Sequence, residues 1–139
     1  MKSLFVLLIL VMFPVFSCCQ AAIFPEVLAY MRANGFTIVS DKYAYLKQGE
    51  TSSYSEAFSK GRNYIICTGS DDSNVNDTDV TVYNSDGSIY MSDNESSKAA
   101  TLTFEPAFTR SMTVTMKNYA SSTPNSASNI RTVIAYIVR

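Results

Sequence analysis

Acidic side chains are the residues of this chain whose type and spacing best suit chemistry. Between Arg62 and Lys98 the sequence has seven acids and no lysine or arginine. Carboxylate oxygens that converge on one point bind Ca²⁺, which takes roughly six to eight oxygen ligands. The seven acids are Asp71, Asp72, Asp77, Asp79, Asp86, Asp93 and Glu95.

A hairpin signal indicates how these acids might meet. The alternating segments 79–83 and 88–91 flank Asn84-Ser85-Asp86-Gly87, and Asp-Gly between such segments favours a tight turn. A three-residue loop would place Asp79 opposite Asp93. Like charges across from each other destabilise a sheet, so we expect a cation there. Further ligands would come from Asp71, Asp72, Asn76 or Asp77.

The alternative is that these acids hold no ion. A two-residue loop shifts the register, so that Asp79 no longer faces Asp93. The acids would then solubilise loops, cap turns and protect a sheet edge from aggregation. Calcium binding and this solvated acidic surface both stay open at this point.

Tyrosines form the second candidate site. They occupy strand positions that alternate with apolar ones and could make an exposed platform for a sugar or a peptide. The alternative is that they line the rim of the core with their hydroxyls in water. The candidates are Tyr45, Tyr54, Tyr83 and Tyr90.

Catalysis is not predicted. The chain has no histidine, which removes Ser-His-Asp and Cys-His nucleophiles and the commonest general base. A glycosidase needs two acids facing each other across a cleft, but the acids here lie in polar segments with Ser, Asn and Gly. We therefore predict a protein that is not an enzyme, with a hydrolase as a remote alternative.

Residues 1–21 read as a secretory signal peptide. Lys2 precedes an apolar run over 4–13, shorter than the roughly 20 residues that a membrane-spanning helix needs. Val15-Phe16-Ser17-Cys18 also resembles a lipoprotein signal, in which Cys18 would be lipidated, although Phe16 is bulkier than usual. We expect a secreted or periplasmic protein, or alternatively a lipid-anchored one, that meets membranes only through this leader or anchor.

Composition narrows the partners further. The net charge of −1 argues against nucleic acid, which requires a basic face.

Cleavage after Ala21 would leave Cys67 as the remaining cysteine. Its apolar setting, Tyr64-Ile65-Ile66-Cys67, favours a small buried side chain over a reactive thiol.

The pattern of apolar residues predicts an all-β domain after one helix. Pro25 and Gly35 bound a short helix within 22–35. From residue 36 to 139 the apolar period is two, which indicates seven to nine strands in a two-layer antiparallel sandwich. We expect the apolar segment 132–138 to lie centrally and the polar segments 92–98 and 119–129 to be connections.

Several short motifs follow one another along the sandwich segment. They are Leu46…Gly49, 57–64, 77–87, Asp93, Phe104-Glu105-Pro106 and Met112-Thr113-Val114. In this order they resemble the bacterial pre-peptidase C-terminal domain. The resemblance covers about Leu46 to Val138 and implies a jelly-roll-like sandwich with an exported, accessory role. It does not imply proteolysis, since no protease is attached, and Thr109-Arg110-Ser111-Met112 replaces the family's usual Gly-x-Tyr.

Together these patterns predict a non-catalytic binding domain. Its partner would be a cell-envelope polymer, such as a polysaccharide, or another secreted protein. The alternative is a structural envelope lipoprotein with no soluble ligand.

Overall fold

A computed structural model describes residues 23–138. In this described part of the chain one helix precedes eight strands, within the predicted range of seven to nine. The elements are α1 (Ile23–Ala33), β1 (Thr37–Leu46), β2 (Thr51–Phe58), β3 (Arg62–Gly69), β4 (Val75–Tyr83), β5 (Ile89–Asp93), β6 (Ala99–Phe104), β7 (Arg110–Ser121) and β8 (Ser128–Val138).

The strands form two four-stranded antiparallel sheets. Sheet A has the order β1-β8-β3-β6, and sheet B has the order β2-β7-β4-β5. This order is that of a jelly roll, so the predicted fold class is confirmed. The predicted central position of the last strand is also confirmed, because β8 lies between β1 and β3.

The inner faces of the two sheets enclose the main core. Ile66 and Ile134 from sheet A meet Val80 and Val114 from sheet B, and all four are inaccessible to solvent. One end of this core is aromatic, where the Phe58 ring lies 4.9 Å from Tyr64 and meets further rings beyond it. The strand alternation that predicted the sandwich therefore arises from burial of one side of each sheet.

The sandwich has two ends, which we call upper and lower. The connections 47–50, 70–74, 94–98 and 122–127 lie at the upper end. The lower end comprises 34–36, 59–61, 84–88 and 105–109. Helix α1 runs between them on the outer face of sheet A, from Asp71 at the upper end to the start of β1 at the lower end.

Helix α1 gives sheet A a second, smaller core. Phe24, Val27 and Met31 pack against a patch that includes Cys67 and Val133. Cys67 is buried, as predicted, and burial raises the pKa of its thiol to about 12, which disfavours the reactive thiolate. In residues 23–138 no helix has the length and apolar character to span a membrane.

The ends of several elements differ from the sequence prediction. Helix α1 ends at Ala33, where Gly35 has a φ of 77° and Phe36 N–H bonds the carbonyl of Met31. Strand β1 has a bulge at Val39, where its register against β8 shifts.

The long connection predicted over 119–129 was wrong, because both of its ends are strand. The true connection is 122–127. Fully buried Asn118 helps to extend β7: its side-chain amide donates to the carbonyl of Leu46, and its Oδ1 accepts from Ser121. Buried polar side chains whose hydrogen bonds are satisfied can lie within a strand, although a polar segment of this kind resembles a loop in sequence.

The aromatic end of the core yields a stability prediction. Phe58 is fully buried and lies 5.2 Å from the ring of Phe104. We expect Phe58→Ala to lower the free energy of unfolding by about 3–5 kcal/mol, because it leaves a cavity between the sheets. Urea denaturation measures this loss.

Phe108→Ala is the matched control. Phe108 is 64% exposed, so we expect its removal to change stability by no more than about 0.5 kcal/mol. Equal losses in the two variants would contradict the position of Phe58 between the sheets.

Candidate functional site

The predicted meeting of Asp79 and Asp93 is wrong. The β4–β5 loop has the three residues expected, because Asn84 N–H donates to the carbonyl of Ser88 and Gly87 has a φ of 84°. The register then shifts between Val82 and Tyr83, so that Val80, and not Asp79, pairs with Asp93. A bulge of one extra residue turns the two carboxylates to opposite faces of sheet B.

The other predicted calcium ligands hold the backbone of neighbouring segments. Asp71 Oδ1 accepts from the amides of Ile23 and Phe24, and Asp72 Oδ1 accepts from Asn74 N–H at 2.9 Å. These bonds attach the β3–β4 connection to helix α1 and shape its turn. Asp71 and Asp72 thus serve roles in the fold.

Asp77 and Asp93 accept hydrogen bonds from backbone amides at the upper end of the sandwich. Asp77 Oδ1 accepts from Ser97 N–H at 3.0 Å. Asp93 Oδ2 accepts from the amide of Thr101 in sheet A at 2.7 Å. Since β6 is an edge strand, the Asp93 bond satisfies a backbone donor that would otherwise be open to another chain.

No group of three or more acidic or cysteine side chains in residues 23–138 is arranged to hold a metal ion. The calcium hypothesis therefore stays a prediction, and the described geometry does not support it. The hypothesis predicts that adding Ca²⁺ raises the melting temperature of the unaltered protein and does not raise that of Asp79→Ala. The absence of such a rise in the unaltered protein would end the hypothesis.

Asp79 is the acid whose charge is least well accommodated. It is buried on the outer face of sheet B, opposite Lys117 of β7. Burial raises the pKa of Asp79, and the carboxylates of Asp77 and Asp93 raise it further against the opposing effect of Lys117. Ionisation of this side chain is therefore less favourable in the folded protein than in the unfolded chain.

We expect Asp79→Asn to stabilise the protein at about pH 7, because it removes a poorly solvated charge. A folded-state pKa above the ordinary one means that stability is highest below the ordinary pKa and falls as pH rises through the folded value. The gain from asparagine should therefore vanish near about pH 3, where aspartic acid is neutral in both states. Urea denaturation at the two pH values measures it.

Asp86→Asn is the control with the opposite sign. Hydrogen bonds from the side chain and backbone of Ser88 lower the pKa of Asp86, which is exposed in the β4–β5 loop. We expect this variant to show no gain at neutral pH. A stabilised Asp86→Asn together with an unchanged Asp79→Asn would contradict the assignment.

The four predicted binding tyrosines do not share one surface. Tyr54 and Tyr90 are half-buried against the core between the sheets. Tyr83 is half-buried opposite Thr113 of β7. Tyr45 is the exposed one, at 68%, on the outer face of sheet A. A platform made of all four tyrosines is therefore excluded by their positions.

Tyr45 has an exposed neighbour that the sequence reading left out. Tyr43 is 66% exposed, and its ring centroid lies 6.5 Å from that of Tyr45 at an interplanar angle of 88°. We call these two residues the tyrosine pair. Their spacing of two along β1 is the signal that could have identified Tyr43, because alternate residues of a strand share a face.

An ion pair borders the tyrosine pair. Arg131 of β8, the register partner of Tyr43, forms a two-bond salt bridge with Asp41 at 2.8 and 2.7 Å. The guanidinium also lies 5.1 Å from the ring of Phe24 in helix α1. Arg131 holds the pKa of Asp41 below its usual range.

This arrangement offers contact surface without reactive groups. Two large amphipathic rings stand on a rigid strand, and the arginine at their border is fixed by a carboxylate and an aromatic ring. Tyrosine and arginine are enriched where proteins bind one another, since each provides apolar area together with polar atoms. We take the tyrosine pair and its bordering ion pair as the candidate site.

The structure has a weak similarity to a solved protein. The chain matches no protein-family model and no curated protein sequence, so the resemblance to the pre-peptidase C-terminal domain stays a prediction. A similar solved structure is that of Aeromonas hydrophila PliG, a periplasmic lysozyme inhibitor of g-type lysozyme. It has 8% sequence identity and a TM-score of 0.46, over 72% of this chain and 85% of that one.

Proposed function

We propose that this protein is an exported, non-catalytic binding domain that contacts another protein through the tyrosine pair on β1. The observation that carries the proposal is the exposure of both rings on a strand that packs against helix α1 only near its start, through Ile38. The strands have enough apolar residues to build two cores, yet the rings of Tyr43 and Tyr45 remain in solvent.

The angle between the rings favours a protein over a polysaccharide. Sugar rings stack on aromatic faces that lie parallel to them, so an extended glycan needs a flat row of rings. The tyrosine pair is perpendicular, at 88°, and forms a corner. A corner of this kind accepts one protruding side chain, which is the usual form of a central contact between proteins.

The border of the site also suits a protein partner. Interfaces have an apolar centre and a polar rim, and the Asp41–Arg131 pair supplies such a rim beside Tyr43. Both charged groups have their partner in place before binding, so contact with this rim leaves no newly buried charge unpaired. Export rests on the predicted leader, which lies outside the described residues.

Site-specific crosslinking tests the proposal. With the photoreactive residue p-benzoylphenylalanine in place of Tyr45, we expect irradiation in the producing organism to yield a discrete protein adduct. An excess of unaltered protein should compete it away, and an excess of the double variant Tyr43→Ser/Tyr45→Ser should not. That variant should keep its melting temperature, because both rings are exposed.

The control carries the photoreactive residue at Tyr119, which is 52% exposed on β7 of sheet B. The same adduct from position 119, or no adduct from position 45, would overturn the proposal. Glycan binding that is lost in the double variant would also overturn it, by identifying a polysaccharide ligand. An adduct of twice the chain mass would support it, with a second copy as the protein partner.

A further inference from the structure

Arg110 lies against two aromatic rings at the lower end of sheet B. Its guanidinium carbon lies 4.7 Å from the ring centroid of Tyr90 and 5.7 Å from that of Phe108. Tyr90 is itself fixed, 5.4 Å from the buried ring of Phe104. Contact with these two rings restricts the arginine side chain, so its orientation is set before any ligand arrives.

This guanidinium has no acceptor in the described part of the chain. No hydrogen bond or salt bridge joins it to another of residues 23–138, and its Nε is buried without a partner. The nearby carboxylate of Asp86 is occupied by the amide and hydroxyl of Ser88. Leaving a buried donor unpaired destabilises the protein, and an incoming acceptor would remove that cost.

An exposed apolar ring lies beside the open donors. Phe108 is 64% exposed at this end. The backbone N–H of Lys60 donates to Thr109 Oγ1, so the β2–β3 connection lies next to this ring, and Asp86 and Glu105 are the acids of the other lower-end loops. An exposed ring beside a fixed guanidinium with an open donor is complementary to an anion that has an apolar neighbour.

We propose that Arg110, with Phe108, binds a carboxylate flanked by an apolar side chain, presented by a partner protein. The carboxylate would accept hydrogen bonds from the guanidinium, and the apolar side chain would lie on Phe108. Phe108, as the exposed ring, can shift to admit the ligand, whereas Tyr90 stays packed on the core. This site is separate from the tyrosine pair, which lies on the outer face of sheet A.

Small probes test this recognition directly. We expect N-acetyl-leucine, which carries a terminal carboxylate beside an apolar side chain, to bind with a Kd on the order of 1–10 mM. Its binding should shift the Arg110 Nε–H signal in ¹⁵N NMR spectra. N-acetyl-leucinamide has the same apolar group without the charge and should bind at least about 10-fold more weakly, since a hydrogen bond to a charged group is lost.

A third probe separates the two sources of a protein carboxylate. N-acetyl-Asp-Leu-amide carries its charge on a side chain, so tighter binding of this probe would assign the ligand to an internal acidic residue. Tighter binding of N-acetyl-leucine would assign it to a chain terminus. Both results support the site, and failure of both probes to shift Arg110 overturns it.

Variants complete the test. Arg110→Gln should weaken N-acetyl-leucine binding at least about 10-fold, and Phe108→Ala should weaken it without changing the melting temperature. Arg62→Gln is the matched control, because Arg62 also stacks on a ring, 4.1 Å from that of Tyr136, but its Nε is not an unpaired buried donor. An equal loss of N-acetyl-leucine binding in Arg62→Gln and Arg110→Gln would mean that binding depends only on overall positive charge, and this would overturn the proposal.

Discussion

Exclusion of water from between the two sheets is the constraint on which the rest of the structure depends. Val80 and Val114 of sheet B and Ile66 and Ile134 of sheet A have no accessible surface, so each strand must keep one side apolar. Every outward-facing residue is consequently free to serve another purpose. On sheet A that freedom accommodates helix α1 and the tyrosine pair, whereas the outer face of sheet B has cross-strand hydroxyl pairs such as Ser53 with Thr115.

The same constraint explains which parts of the fold the sequence predicts. Alternation of apolar residues is a direct record of burial, so the sandwich, the strand number and the central place of β8 can be read from it. Bulges cannot be predicted from this alternation. One extra residue near Tyr90 breaks the pairing that would have set Asp79 against Asp93, and a second at Val39 shifts the register of β1 against β8. Long-range bonds to Asn118 likewise extend β7 into a polar segment.

The candidate sites show a related limit. Tyrosine at an alternating position faces either the core or the solvent, and the choice depends on which side of its strand is buried. Tyr54 and Tyr90 lie inward, and burial raises the pKa of Tyr54 well above its ordinary value. Tyr43 and Tyr45 lie outward on the part of sheet A that the helix leaves open. The length and direction of that helix, set by contacts such as Phe24 with Val133, decide their exposure.

The attachment of Ile23 and Phe24 to Asp71 fixes the direction in which the chain enters the domain. A tether placed ahead of Ile23, whether lipid or protein, would leave from the upper end beside the β3–β4 connection. The lower end of the domain, with Arg110, would then face away from the anchoring surface. The upper end, where Asp77 and Asp93 form their hydrogen bonds, would lie next to that surface, so molecules in the surrounding solution would meet the lower end first.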